Sequence, residues 1–238
     1  MDFGTMGLGV ILFGFLVGMR HAVEADHVAA VASLATGSHS LRQTVIQGAV
    51  WGVGHTITLF LFGSIALMMD SVIPELMAAR LEFAVGIMLV LLGLDVLRRL
   101  YRKRVHFHTH QHPGGVQHFH AHAHQQKQAH DEHAHQHEHV RLFPMRALLV
   151  GLMHGMAGSA ALIILTLNIV QSPLTALFYM AFFGIGSILG MALLSCVIAI
   201  PLRFSEQRLT RVYKGLHVSV GLFSVGIGVT IIMNFLQT

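Results

Sequence analysis

The stretch GLGVILFGFLVGMRHAVEADHVAAVASLA (residues 7–35) sets five ionisable side chains, Arg20, His21, Glu24, Asp26 and His27, inside a run that is otherwise apolar. Its length decides the fold. At 1.5 Å per residue, a helix needs about 20 residues to cross the roughly 30 Å of hydrocarbon in a bilayer. The apolar run, taken as 4–35, exceeds that. A helix this long must tilt or break, or give way to two short helices with a re-entrant turn. Ionisable groups at such depth are costly and mark the path of an ion or substrate.

The rest of the chain has the same character. Of its 238 residues, 54% belong to the hydrophobic set and only 11% are charged, with a mean hydropathy of +0.65. Soluble domains carry roughly 25% charged residues. A chain this poor in charge cannot cover a water-facing surface, so its solvent is mostly lipid. Five further apolar stretches, 43–69, 76–98, 145–170, 174–201 and 215–237, bring the expected spans to six. The N-terminus MDFGTMGLGVILFGF lacks the basic start of a signal peptide and reads as the beginning of a retained helix. The single Cys196 rules out an intramolecular disulfide and a thiolate-rich metal site.

The isoelectric point of about 9.7 does not point to nucleic acid, because the basic residues are segregated. Thirteen of the fifteen follow spans one, three and five, including Arg98, Arg99, Arg102, Lys103, Arg104 and Arg146. That bias places these connections in the cytoplasm and both termini outside, as a multi-pass protein of the cytoplasmic (inner) membrane.

The two halves resemble each other. LVGMRHAVEADHVAAVASL (16–34) aligns without gaps on LVGLMHGMAGSAALIILTL (149–167), matching Gly18 to Gly151 and His21 to His154. WGVGHTI (51–57) aligns on FGIGSIL (183–189), and Gly86 and Gly93 fall opposite Gly221 and Gly228. With three spans each, the halves must insert with opposite topology, an arrangement typical of secondary transporters that bind substrate where the repeats meet. The expected fold is therefore all-α and polytopic, with six transmembrane helices as two inverted three-helix repeats. Residues 1–104 form the first, 105–140 an intervening loop, and 141–238 the second. Gly48, Gly52, Gly151, Gly155, Gly186 and Gly190 suit close helix packing.

Imidazole and carboxylate ligands suit Ni2+, Co2+ or Zn2+ better than Ca2+ or Mg2+. On an undistorted helix His21 and His27 stand about 120° apart, so converging them with Asp26 requires a local break. Unwound backbone is tolerated in a membrane where it lines a polar cavity. His154, the repeat mate of His21, and His55, which follows the Gly52-Val53-Gly54 run, join the candidate ligands. Ser159 and Ala160 stand where the first half has Asp26 and His27, which implies one composite site. Arg20 and Glu24 are candidates for a neutralising pair or for support behind the ligands. Glu82 and His217 open spans three and six and are candidate gate residues.

The loop at 105–140 holds thirteen of the nineteen histidines: His106, His108, His110, His112, His118, His120, His122, His124, His130, His133, His135, His137 and His139. With no apolar face it is expected to be disordered without metal. Its alternating H-x-H pattern reads as a cytoplasmic metal buffer or sensor whose affinity falls below about pH 6 as imidazole protonates.

At HAVEADH the sequence resembles the H-x4-D-H signature of the nickel/cobalt transporter family, carried here by His21, Asp26 and His27. GMRHAVEADHVAAVASL, WGVGHTITLFLFG and LVGLMHGMAGSAAL are similar to its shorter branch, which includes urease-accessory nickel permeases. The resemblance implies uptake of nickel or cobalt, with His21, Asp26 and His27 as recognition residues, His55 in support, and delivery to nickel-enzyme maturation proteins. Longer members have eight spans, and the histidine loop is shared with related efflux proteins, so an efflux permease is the alternative. A membrane metalloenzyme and a metal sensor are rivals from other classes. No P-loop is present. The expectation is a permease rather than an enzyme, working by alternating access, with no cofactor beyond the transported metal.

Overall fold

A computed structural model of the chain describes residues 3–38, 40–69, 74–102, 106–111, 117–122, 144–169, 172–208 and 210–237. Its order is α1 (Phe3–His21), α2 (Ala25–Ala35), α3 (Leu41–Met68), α4 (Glu75–Arg102), β1 (His106–Gln111), β2 (Gln117–His122), α5 (Met145–Ile169), α6 (Pro173–Arg208) and α7 (Thr210–Gln237). The long first run is broken into α1 and α2. At the end of α1 the Val23 amide bonds to the Arg20 carbonyl (3.0 Å) and the Glu24 amide to that of His21 (3.1 Å). These short-range bonds tighten the last turn and satisfy carbonyls that the helix would leave free. Glu24 is extended (φ −64°, ψ 150°) and caps α2.

Among the described residues, four helices are long and apolar enough to cross a membrane: Leu41–Met68, Glu75–Arg102, Leu174–Ser205 and Arg211–Gln237. Their outward faces carry apolar side chains at helical spacing, such as Ile57, Leu61 and Ile65 on α3 and Ile185, Leu189, Leu193 and Val197 on α6. A water-facing helix would place charge at these positions. The molecule is a membrane protein.

With lipid on the outside and apolar side chains throughout, glycine decides which helices approach each other. A methyl group on Gly18 of α1 would strike the Phe183 carbonyl of α6, and one on Gly151 of α5 would strike that of Trp51 in α3. Gly54 likewise meets the Leu148 carbonyl and Gly186 that of Phe15. Gly86 and Gly93 of α4 face Gly228 and Gly221 of α7. Gly48, Gly52, Gly155 and Gly190 sit at equally close crossings, where small residues admit a neighbouring backbone.

The interior is built around Trp51, Leu89 and Met191, with Ala22, Ala29 and Ala30 packed against them. Ser224 of α7 bonds to the Ser33 hydroxyl (2.7 Å) and the Ala29 carbonyl (2.9 Å), tying α7 to α2. At the C-terminal end of α2, Arg99 of α4 donates to the Ser33 carbonyl (3.4 Å) and the Thr36 hydroxyl (3.3 Å). Asp95, one turn before Arg99, accepts from Arg146 of α5 at 2.7 Å.

Two segments of the histidine loop are described. β1 and β2 pair antiparallel, with His106 opposite His122, His108 opposite His120 and His110 opposite His118. Alternation of histidine matches the two-residue period of a strand, which local composition alone did not reveal. His112, His124, His130, His133, His135, His137 and His139 lie outside the described residues.

Candidate metal centre

The break between α1 and α2 creates the site. His21 ends one helix, and Asp26 and His27 lie in the first turn of the next, where an acidic side chain complements the helix dipole. Asp26 accepts the backbone N–H of His27 at 2.8 Å, supplying a partner to an amide that has none within the helix. The same oxygen receives the His27 ring Nδ1 at 2.9 Å. The other oxygen receives Nε2 of His154, from α5, at 3.0 Å.

His55 enters from α3 and is fully buried (0% exposed). Its ring centroid lies 5.3 Å from that of His21 and 5.1 Å from that of His27. His21 and His27 stand 4.3 Å apart, as do His27 and His154. Two overlapping groups result, each with its ligand atoms within 4.8 Å of one another: His21 with His27 and His55, and Asp26 with His27 and His154. All five candidate ligands are thus brought together from four helices, α1, α2, α3 and α5.

Several of these nitrogens are unsatisfied. His21 Nε2, His27 Nε2, both ring nitrogens of His55 and Nδ1 of His154 are buried without a hydrogen-bond partner. Leaving a buried polar group unmade costs about 1–3 kcal/mol each. Unpartnered nitrogens on four clustered imidazoles are the arrangement expected of a site that takes a cation.

A cavity of about 480 Å³ adjoins the cluster, lined by Val17, Arg20, His21, Glu24, Asp26, His27, Glu82, Val85, His154, Ala157, Gly158, Phe183 and Ile231. Glu82 lies in the early turns of α4 and Ile231 in the last turns of α7, so the cavity extends toward the end of the bundle where α4 begins.

Glu24 does not pair with Arg20; its carboxylate bonds to His21 Nδ1 at 3.0 Å, because the extended Glu24 backbone turns the side chain back over the end of α1. Arg20 lines the cavity and has no ion pair among the described residues. Glu82 joins the cavity wall, whereas His217 is buried elsewhere on α7, with Nδ1 3.0 Å from the Tyr213 carbonyl. The side chains of Ser159 and Ala160 lie outside the described residues.

Sequence reasoning missed Trp51 and Phe183. The Trp51 ring packs 5.3 Å from His27 and 5.6 Å from His154, and Phe183 packs 5.3 Å from His21. The signal for Trp51 was present: it is the chain's lone tryptophan and sits four residues before His55, one helical turn away. Trp51 and Phe183 also occupy matching places in the two halves.

A lipid-facing helical bundle with imidazoles converging at a buried break defines a helical membrane protein with a buried histidine cluster. Over 227 residues the chain is 31% identical to the urease accessory protein UreH of Bacillus sp. (strain TB-90), covering 95% of this chain and 92% of that one. The chain belongs to the family of that protein. No family model and no solved structure matches it.

Proposed function

We propose that the chain is a permease that carries Ni2+ or Co2+ inward across the cytoplasmic membrane, by alternating access around the His21, Asp26, His27, His55 and His154 cluster. The observation that carries this reading is His55. A fully buried imidazole with neither nitrogen paired is unfavourable for stability alone, and a passing cation supplies the missing partner. The likeness to a urease accessory protein favours nickel, since urease-accessory nickel permeases form the branch that the motif resembles.

The proposed architecture is six spans in two inverted repeats, α1–α2 counting as one. Reciprocal contacts support it. Gly18 against Phe183 corresponds to Gly151 against Trp51, and Gly54 against Leu148 corresponds to Gly186 against Phe15. Gly86 with Gly228 likewise corresponds to Gly221 with Gly93. In each case the halves exchange roles, as they would about a two-fold axis in the membrane plane. With the basic connections in the cytoplasm, the cavity opens outward and the Asp95–Arg146 contact lies on the cytoplasmic side. The histidine loop is then a cytoplasmic acceptor ahead of nickel-enzyme maturation proteins.

Radioactive Ni2+ uptake into proteoliposomes and into expressing cells tests the reading. Flux in vesicles together with raised cellular accumulation is expected, both lost in His55→Ala. Lowered accumulation would identify an exporter, and vesicles without flux would overturn transport altogether.

A further inference from the structure

We propose that three uncharged imidazoles, His21, His27 and His55, bind the cation directly. Asp26 and Glu24 stand behind them as positioning residues that fix which ring nitrogen of each histidine carries its proton. The division rests on reading this cavity as a metal site and goes further by separating ligand from support.

A carboxylate only accepts hydrogen bonds, so each nitrogen it holds must be the protonated one. Asp26 Oδ1 accepts both the backbone N–H and the ring Nδ1–H of His27, at 2.8 and 2.9 Å. That leaves the His27 lone pair on Nε2. Asp26 Oδ2 accepts Nε2–H of His154 at 3.0 Å. Glu24 accepts Nδ1–H of His21 at 3.0 Å, leaving the His21 lone pair on Nε2 as well.

Those two Nε2 atoms and both nitrogens of His55 are buried without partners, as is Nδ1 of His154. But His21, His27 and His55 each offer one ring nitrogen to a group within 4.8 Å, whereas His154 is grouped only with Asp26 and His27. The second group is different in kind. There Asp26 Oδ1 already holds His27 Nδ1 and Oδ2 holds His154 Nε2, so binding through these atoms would displace protons and break two hydrogen bonds. The unmet demand lies on the imidazole side.

This arrangement has the usual logic of a histidine metal site, in which a carboxylate holds one ring nitrogen and the metal takes the other. His154 then belongs to the support, because Asp26 joins it to His27 across the break. Three neutral nitrogen ligands favour Ni2+, Co2+ and Zn2+ over oxygen-seeking Mg2+ and Ca2+. They also leave coordination positions for water, so the ion need not lose its whole hydration shell in one step.

X-ray absorption on the purified full-length protein loaded with Ni2+ alone tests the assignment. The wild-type spectrum is expected to show scattering from three imidazoles, decreasing by one in His55→Ala. In Asp26→Asn the imidazole count should hold while the dissociation constant rises about 10–100-fold. Loss of a short oxygen scatterer in Asp26→Asn, or an unchanged spectrum in His55→Ala, would overturn the division of roles. The wild-type count decides even where a variant misfolds: fewer than three imidazoles would also overturn it. Failure of the wild-type protein to bind Ni2+ would overturn this division and the transport reading together. Bound Ni2+ with an Asp26 oxygen in its shell would overturn the division alone.

Discussion

His55 and Asp26 belong to one cluster around His27 and respond to opposite rules. His55 is buried with nothing to bond to, so its replacement by an apolar side chain removes two unsatisfied atoms. In His55→Leu the metal-free protein should be no less stable than wild type. Ni2+ should raise the thermal midpoint of the wild-type protein, because a ligand that binds only the folded state stabilises it. The midpoint of His55→Leu should not move with Ni2+. An equal rise in both would place the ion elsewhere. Trp51 offers a contrasting test at the same scale. It is fully buried against His27 and His154, and Trp51→Ala should cost about 3–5 kcal/mol through the cavity it leaves. Trp51→Phe keeps most of the packing and should preserve uptake to within a few-fold, as radiometal assays would read.

At the scale of elements, glycine decides how closely the helices meet. A side chain at Gly18 would collide with the Phe183 backbone, whereas nothing stands within 4 Å of the corresponding point at Gly9 on the same helix. Gly18→Ala should therefore force α1 away from α6 and lower the yield of folded protein, measured by size-exclusion profile and thermal stability. Gly9→Ala should be neutral, or stabilising by up to about 1 kcal/mol from helix propensity alone. Gly151→Ala should match Gly18→Ala in severity, since it meets the Trp51 carbonyl in the same way. A harmless Gly151→Ala beside a damaging Gly18→Ala would count against the two-fold reading. The break between α1 and α2 belongs to this scale as well. It exposes backbone groups, and the turn bonds at Val23 and Glu24 compensate some of them.

For the molecule as a whole, the cavity lies toward one end and a charged contact toward the other. Asp95 of α4 accepts from Arg146 of α5 at 2.7 Å, with Arg99 bonding on to the end of α2. Arg146 is largely exposed, so the pair is worth at most about 1 kcal/mol. That is small for stability, yet enough to shift the alternating-access equilibrium proposed above several-fold. Arg146→Ala is expected to leave thermal stability almost unchanged and to speed hydrogen exchange at the start of α5. Unaltered exchange there would show that the contact does not hold that end closed. Deletion of residues 105–140 is the second test at this scale. A loop that only concentrates metal should leave uptake unchanged at saturating Ni2+ and reduce it at limiting Ni2+. Loss at both concentrations would make the loop part of the pathway.

The amino-acid sequence by itself determined the lipid-facing character, the motif at its break and the five candidate ligands. Each of these is written in local composition or helical spacing. Scarcity of charge requires lipid, and RHAVEADH cannot put its histidines on one ion as a continuous helix. Only the tertiary structure decided that His55 and His154 arrive beside His27, that Glu24 turns to His21 rather than Arg20, and that Trp51 closes the cluster. Helical periodicity says which residues share a face. It does not say which neighbour that face meets, and in a chain apolar on every side the hydrophobic pattern no longer separates inside from outside. That choice falls to close glycine crossings and a few buried polar bonds, whose partners are 128 residues apart for Asp26 and His154.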